Sequence, residues 1–239
     1  MIRLEPAERP HVFGGTDRST VRALDNLTRA NRYFGGTRSV LRWLTPELAA
    51  RRGQTVRILD VGCGRAEIAR ALAARARELG VRLRLVAVDA DPRVVELARV
   101  GCAPWPEIDV VRGDARRLPF TEGVFDYVVA AMLLHYFSLG EAARLLDSWR
   151  RLATSAVVIS DVERHWVPYA CLRVLGRLSS SALFDEGHRY TVRRGFTTAE
   201  LGRLGALGGF VRVRIGRHVP YRLSLLGVCC EGLSTSSVR

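Results

Sequence analysis

The stretch Val56–Glu67, VRILDVGCGRAE, decides how the rest of the chain is interpreted. Its first half is an apolar run typical of a buried strand, and Gly62 and Gly64 then mark a tight turn. Helical spacing follows at once, with Gly80 as the end signal and an apolar face formed by Ile68, Leu72, Ala76 and Leu79. The pattern predicts a strand, a glycine turn where the backbone can approach a ligand, and a helix.

The charges around this turn favour a ligand without phosphate. A dinucleotide fingerprint needs a third glycine three residues after Gly64, but Glu67 stands there, where a pyrophosphate would lie at the helix N-terminus. S-adenosylmethionine (SAM) carries a sulfonium and an ammonium and no phosphate, so it tolerates Asp60 and Glu67 as neighbours. Because a GxG pattern alone is a weak signal, the rest of the chain has to decide.

A second strand, LRLVAVDA (83–90), ends at Asp89, where a carboxylate can accept hydrogen bonds from both hydroxyls of a ribose. At this point the chain resembles the class I SAM-dependent methyltransferases. Their four motifs occur in order as LDVGCG (59–64), VAVDADP (86–92), VVRGDA (110–115) and FDYVVAAMLLHYF (125–137). One departure is Ala66, where many members have another glycine, and it concerns the finer shape of the turn.

The resemblance implies an α/β fold: a Rossmann-like, seven-stranded, mostly parallel sheet with an antiparallel last strand and helices on both faces. It also implies SAM as the cofactor, held by Asp60, Gly62, Gly64, Asp89, Ala90, Asp114, Ala115 and Ala131. In the family, the carboxylate at Asp114 accepts from the exocyclic amine of adenine and the next backbone amide meets a ring nitrogen. The alternative is a loop aspartate that caps its own turn.

Residues 1–53 are predicted to form an N-terminal helical preface over the cofactor cleft, with residues 1–17 loose. Helices are expected from Ser19 to Gly35, from Thr37 to Thr45, and in a short third segment that begins at Pro46. Arg32 or Asn31 would then meet the methionine carboxylate. A helix end with polar residues in water explains the same residues equally well.

Residues 54–239 are predicted to form the methyltransferase domain. We expect a helix from Asp91-Pro92 to Val100 that is closed by Gly101, a fifth strand over 156–160, and capping boxes at Ser138 with Glu141 and at Thr197 with Glu200. Residues 161–190 mix apolar and basic positions and are predicted to be an insertion that roofs the acceptor pocket. A membrane-surface helix or a homodimer helix is the alternative for this segment.

The composition limits the class of protein. A chain of 239 residues with 48% hydrophobic residues can form one large α/β domain. Its net charge of +13 comes from dispersed arginines without any lysine, and it could attract an acidic substrate, a thioester carrier or an anionic membrane surface. Nucleic acid is a disfavoured partner because aromatic and basic residues do not cluster into a stacking platform.

The cysteines and the apolar runs predict the compartment. The 5 cysteines have no metal-ligand spacing, so no metal is expected and a reduced cytosolic protein is the plain inference. The first residues lack the apolar stretch of a signal peptide, and no segment approaches the length of a membrane span. We therefore expect a cytoplasmic protein without stable membrane insertion.

His135 is the candidate catalytic residue. Methyl transfer needs an acceptor held in line with the S–CH3 bond, and a phenol or enol acceptor also needs a base of near-neutral pKa. His135 follows the fourth strand, where the ligand crevice of an open sheet lies, but it could instead line the SAM pocket. Weaker candidates are Tyr136, His165, His188 and Tyr190.

The predicted reaction is methylation at oxygen or carbon of a small, aromatic or polyketide-like acceptor. ANRYFGG (30–36) and VRRGFT (192–197) resemble segments of bacterial methyltransferases found beside type III polyketide synthases, which implies small-molecule biosynthesis and secondary metabolism. Quinone C-methylation is the nearest alternative. A SAM-binding protein without turnover is the alternative from another class.

Overall fold

The computed structural model describes residues 1–4, 35–178 and 186–230. For residues 172, 174–178 and 186–189, which lie in helices, it describes the backbone and not the side chain. The predicted helix from Ser19, Asn31 and Arg32 therefore lie outside the described residues. So does the side chain of His188. Among the described residues, no helix is long and apolar enough to cross a membrane.

Strands and helices alternate along most of the described chain. In order they are α1 (Gly36–Ala49), β1 (Thr55–Val61), α2 (Glu67–Leu79), β2 (Arg82–Asp89), α3 (Pro92–Cys102), β3 (Ile108–Arg112), β4 (Phe125–Ala131), a 3-10 turn (Leu134–Tyr136), α4 (Leu139–Leu152), β5 (Ala153–Val162), α5 (Trp166–Leu178), α6 (Glu186–Arg194), α7 (Thr198–Leu207), β6 (Arg212–His218) and β7 (Arg222–Val228).

The seven strands form one sheet in the order β3-β2-β1-β4-β5-β7-β6. β1 to β5 pair in parallel, whereas β7 lies antiparallel to both β5 and β6. The predicted fold class is therefore confirmed. The strand order reverses beside β1, so the carboxyl ends of β1 and β4 define the crevice where such sheets bind ligands.

Both faces of the sheet are covered because neighbouring strand residues point to opposite sides. Ile58 packs in the core on the side of α1, α2 and α3, while Leu59 packs in the core on the side of α4 and α7. β4 is buried almost throughout, which accounts for its mostly apolar sequence, and β7 is buried throughout, including its polar residues Arg222 and Ser224. The two cores fix the strand ends that carry the site.

Two predicted helix boundaries are wrong. α1 runs through Pro46 without the predicted break, and α3 continues past Gly101 to Cys102. A proline inside a helix costs about 3 kcal/mol, but α1 buries Val40, Leu44 and Leu48 on one face across it, and each such side chain contributes roughly 1.5–3 kcal/mol. Cys102 is likewise buried in the core, so the apolar face extends α3 beyond its glycine.

The first four residues are not loose, as the sequence had suggested for residues 1–17. The Arg3 side chain is buried and donates from Nε to the Arg194 carbonyl at 3.0 Å and from Nη2 to the Phe137 carbonyl at 2.9 Å. Its guanidinium also lies 4.9 Å from the centre of the Phe196 ring. These contacts hold residues 1–4 against the end of the 3-10 turn. The rest of the segment, 5–17, lies outside the described residues.

The other predicted features agree with the structure in part. Both capping boxes are present, at Ser138 with Glu141 and at Thr197 with Glu200. The fifth strand is longer than predicted, Ala153–Val162, because β7 pairs with it from Ala156 to Val162. That extra length brings Asp161 to the carboxyl edge of the sheet.

Candidate active site

The turn after β1 is tied directly to the end of β2. The backbone N–H groups of Gly62 and Cys63 both donate to the Val88 carbonyl, at 2.8 and 2.9 Å. The N–H of Gly64 donates to Asp89 Oδ2 at 3.0 Å. Two predicted cofactor motifs, distant in sequence, are therefore joined at one edge of the sheet by two backbone hydrogen bonds and one from a backbone N–H to a carboxylate.

The two glycines of this turn have different roles. Both adopt a left-handed conformation, with φ of 69° at Gly62 and 54° at Gly64. A Cβ added at Gly62 would lie 2.9 Å from Leu133 Cδ2, whereas a Cβ at Gly64 would meet nothing within 4 Å. Gly62 thus lets the loop after β4 approach, and Gly64 leaves open space beside Asp89.

Ala66 occupies a backbone conformation that favours glycine. It has φ of 56° and ψ of 36° at the position just before α2. Its N–H donates to the Cys63 carbonyl at 2.8 Å, and its carbonyl accepts from Arg70 N at 3.0 Å. The departure from the family pattern is therefore accommodated: the alanine takes the left-handed conformation that a glycine would adopt more easily.

Asp60 is buried at the end of β1, and its Oδ2 has no hydrogen-bond partner among the described residues. Burial, together with the nearby charges of Asp89 and Glu67, raises the pKa of Asp60 to about 7, against one stabilising N–H from Ala69. An unpartnered buried carboxylate is costly unless a cation or donor meets it. The site therefore fits a positively charged ligand.

Asp89 presents a half-buried carboxylate at the tip of β2. Its Oδ2 accepts from Gly64 N, and its Oδ1 accepts from Asp91 N at 3.1 Å. Burial raises its pKa above the ordinary value, and these amide donors act in the opposite direction. Since each carboxylate oxygen can accept more than one hydrogen bond, acceptor capacity for ribose hydroxyls is left. The next residue, Ala90, is exposed and accepts from Arg112 Nε at 3.2 Å through its carbonyl.

Asp114 caps its own turn, the alternative given above. It is exposed, and its Oδ1 accepts from Arg116 N at 2.9 Å. The half-buried Ala115 accepts from Trp149 Nε1 at 3.1 Å through its carbonyl, so α4 fixes the backbone of this loop. The adenine contact of Asp114 stays a prediction.

The end of β4 turns sharply towards the glycine loop. Ala131 is buried as the last strand residue, and Met132 has φ of 55°, which is unusual for a side chain of this kind. Met132 N donates to the Ser160 carbonyl at 2.8 Å, which holds the turn on β5. Leu133 consequently packs beside Gly62, and the 3-10 turn that follows carries His135.

His135 is completely buried and forms a pair with Asp161, a residue that the sequence reasoning did not single out. His135 Nδ1 lies 2.7 Å from Asp161 Oδ1, and His135 N donates to Asp161 Oδ2 at 3.1 Å. Nε2 of the same ring has no hydrogen-bond partner among the described residues. The signal that could have found Asp161 is its place at the end of the strand next to β4, where the carboxyl ends of parallel strands meet.

The surroundings of this pair carry several further polar side chains. The Tyr136 ring lies 4.2 Å from that of His135, centre to centre, and burial followed by the charge of Asp161 raises the pKa of Tyr136 to about 12. The guanidinium of Arg194, at the end of α6, acts in the opposite direction. Two other weaker candidates lie apart from the pair: the His165 ring lies 5.0 Å from Tyr221 and its Nδ1 accepts from Val167 N, and Tyr190 is exposed on α6.

The chain is similar to known methyltransferases. Residues 58–155 match the family model described as a methyltransferase domain. Over 70 residues the chain is 34% identical to a demethylmenaquinone methyltransferase of Lysinibacillus sphaericus, a match covering 29% of either protein. The chain thus spans less than a third of the length of this curated relative.

Solved structures extend the likeness over most of the chain. A SAM-dependent methyltransferase from Aquifex aeolicus superposes with a TM-score of 0.62 at 18% identity, covering 90% of this chain and 100% of that chain. A magnesium protoporphyrin IX methyltransferase from Synechocystis, solved with bound SAH, gives a TM-score of 0.57 at 16% identity, covering 94% of this chain and 90% of that chain. At these identities the likeness to the solved structures shows the fold, while the family model identifies residues 58–155 as similar to a methyltransferase domain.

Proposed function

We propose that this protein transfers a methyl group from SAM to an oxygen or carbon atom of a small, aromatic or polyketide-like acceptor. The observation that supports SAM most directly is the buried Asp60 carboxylate with an unpartnered oxygen. It lies at the end of the strand that leads into the glycine turn. A ligand with an ammonium and a sulfonium supplies the positive charge that this carboxylate lacks.

Residues at different strand ends contact different parts of the cofactor. Asp60 faces the cationic part, Asp89 accepts from the ribose hydroxyls, and Asp114 with the Ala115 amide meets the adenine. Gly62 and Gly64 keep the backbone close to the ligand, and Ala90 and Ala131 lie at its border. Arg32 of the preface binds the methionine carboxylate. When bound, SAM supplies an electrophilic methyl group, and the chain's own residues hold the acceptor in line with it.

His135 is the proposed base for an acceptor with an ionisable hydroxyl. Its Nε2, which has no hydrogen-bond partner among the described residues, can accept a proton. A base contributes typically 10²- to 10⁴-fold. His135→Ala should therefore lower kcat by about that range, abolish the acidic limb of the pH–rate profile and keep SAM affinity. An unchanged kcat and pH profile would leave positioning as the source of catalysis.

Calorimetry with SAM and with its demethylated product tests the cofactor. Asp89→Ala removes two charge-assisted contacts to the ribose and should weaken binding by about 1.5–3 kcal/mol, roughly 10- to 150-fold in Kd. Asp109→Ala is the matched control, because Asp109 is an exposed carboxylate on the neighbouring strand β3. Absence of SAM binding by the parent protein would refute the proposed function.

A second candidate function is C-methylation of a quinone. It is favoured by the likeness to a demethylmenaquinone methyltransferase, although that match covers only 70 residues. A screen of phenols, quinols and polyketide lactones with methyl-labelled SAM separates the two. SAM binding without transfer to any member of the screen would favour a SAM-binding protein without turnover.

A further inference from the structure

We propose that Asp161 is a positioning residue that holds the His135 ring with its proton on Nδ1 and so makes Nε2 the atom that receives the proton of the acceptor. The proposal rests on the proposed function, since it assigns the base of that reaction to one atom. It also adds to the site a residue on β5 that the cofactor motifs do not contain.

The orientation of the Asp161 carboxylate is fixed by the backbone, independently of the histidine ring. Its Oδ2 accepts from the N–H of His135 at 3.1 Å, and its Oδ1 accepts from the N–H of Val162 at 2.8 Å. Both donors belong to the main chain of the two elements that meet here, the 3-10 turn and β5. These two backbone hydrogen bonds therefore fix the orientation of the carboxylate without any contribution from the histidine ring.

The tautomer follows from the chemistry of the pair. An ionised carboxylate can only accept hydrogen bonds, so the Nδ1 atom that lies 2.7 Å from Oδ1 must carry the proton. The neutral ring then has its lone pair on Nε2. This atom is buried without a hydrogen-bond partner among the described residues, which is costly unless a ligand hydroxyl meets it.

The surrounding charges keep Asp161 ionised. Burial by itself would raise the pKa of Asp161, but His135, the Val162 amide and Arg222 together hold it below the ordinary value. Arg222 is buried on the neighbouring strand β7, where burial lowers its pKa to about 10, so it stays protonated at neutral pH. Arg222 and Asp161 thus place opposite charges on neighbouring strands. Among the described residues, Tyr136 lies beside the pair, and the charges of Asp161 and Arg194 both act on its hydroxyl.

The proton balance of the reaction uses this arrangement. As the acceptor oxygen forms its bond to the methyl carbon, the S–C bond breaks with its electron pair kept by sulfur, and the acceptor proton moves to Nε2. The imidazolium that results lies 2.7 Å from the Asp161 carboxylate, which stabilises the new charge. The proton then leaves from Nε2 to solvent when the product departs.

The test uses the full chain labelled with ¹⁵N-histidine, without SAM or acceptor, in long-range ¹H–¹⁵N correlation spectra at neutral pH. We expect His135 to be neutral with the proton on Nδ1. In Asp161→Asn the amide can donate to Nδ1, so the ring proton should shift to Nε2 wholly or in part. The kcat should then fall at least about 10²-fold, while the Kd for SAM and the KM for the acceptor are retained. Asp126→Asn is the control: Asp126 is a half-buried carboxylate at the start of β4, away from the carboxyl edge of the sheet, and pairs with Arg51 at 2.7 Å, so both readouts should stay parental.

The spectrum of the parent protein decides the proposal even if Asp161→Asn does not fold. A proton on Nε2 alone, or a doubly protonated ring at neutral pH, would overturn it. A folded Asp161→Asn variant with parental kcat, or with equal losses of SAM affinity and activity, would overturn it as well. Failure of the parent protein to bind SAM refutes the proposed function instead, and the tautomer measurement is unaffected by that result.

Discussion

Replacing Asp60 by asparagine is expected to stabilise the ligand-free protein and to weaken its binding of SAM. Burial raises the pKa of Asp60 from 3.8 to about 7. A shift of about three units corresponds to roughly 4 kcal/mol of lost stability once the group is ionised. The buried amide has its own desolvation cost of about 1–3 kcal/mol, so we expect a net gain on the order of 2 kcal/mol for Asp60→Asn at pH 8.

The pH dependence of stability gives the sign of the effect. Between pH 3.8 and about 7, the unfolded chain has lost the Asp60 proton while the folded chain retains it. Raising the pH therefore favours the unfolded state in this window. The contribution of Asp60 to the free energy of unfolding is greatest below the unfolded pKa, declines by about 1.4 kcal/mol per pH unit, and is constant once the folded group has also ionised.

Urea denaturation at a series of pH values from 5 to 8.5 measures this contribution. The parent protein should lose stability towards pH 7 relative to Asp60→Asn, and the two curves should run parallel above that. Asp109→Asn is the control, because Asp109 is exposed and its neutralisation should change little. Coincident pH profiles for Asp60→Asn and the parent protein would refute the argument that this carboxylate is buried without compensation.

The same substitution should act oppositely on the cofactor. An ionised Asp60 provides a charge-assisted contact worth about 1.5–3 kcal/mol to a cationic ligand, so the variant should bind SAM roughly 10- to 150-fold more weakly above pH 7. A variant that is more stable and binds SAM as tightly as the parent would place the cationic part of SAM elsewhere.

Three further substitutions test local features. Ala66→Gly should change the free energy of unfolding by less than about 1 kcal/mol in a urea titration, because relief of the left-handed strain offsets the lost methyl group. The control is Ala73→Gly: Ala73 is equally buried but lies inside α2, so this change should cost about 2 kcal/mol. Ser138→Ala should cost about 1 kcal/mol by thermal or urea denaturation, since it removes the capping box of α4, and no loss would mean that α4 does not depend on this cap. Trp166→Ala, at an exposed position on α5, should raise the acceptor KM without changing SAM affinity in steady-state and binding assays; equal losses of both would indicate a structural role.

The fold was predictable because local patterns and burial agree along most of the chain. The glycine turn, the acidic end of β2 and the apolar β4 each identify their element, and the structure joins the first two through Gly64 and Asp89. The errors occurred where burial overrides a local signal. Pro46 and Gly101 are common helix-end residues, but the apolar faces of α1 and α3 continue past them.

The strand-end residues proposed to hold the cofactor are easier to identify from the sequence than the pair of His135 and Asp161. Asp60 directly precedes the glycine turn and Asp89 ends the strand that follows the next helix, so short sequence motifs identify both residues. Asp161 is 26 residues beyond His135, and the two meet because β5 lies beside β4 and extends to Val162 through its pairing with β7. Strand length and register of this kind depend on long-range packing, which a single sequence does not reveal.

The left-handed turn at Met132 also provides a methyl group by which the edge of the crevice can be observed by NMR. The chain contains 2 methionines: Met1, which is half exposed, and Met132, which lies between β4 and the loop that packs on Gly62. A sample with ¹³C-labelled methionine methyl groups would therefore give two signals that are assigned by a single substitution. Because the Met132 backbone is held by Ser160 at the edge of the crevice, its methyl resonance would report whether a candidate acceptor enters the site, before any product has formed.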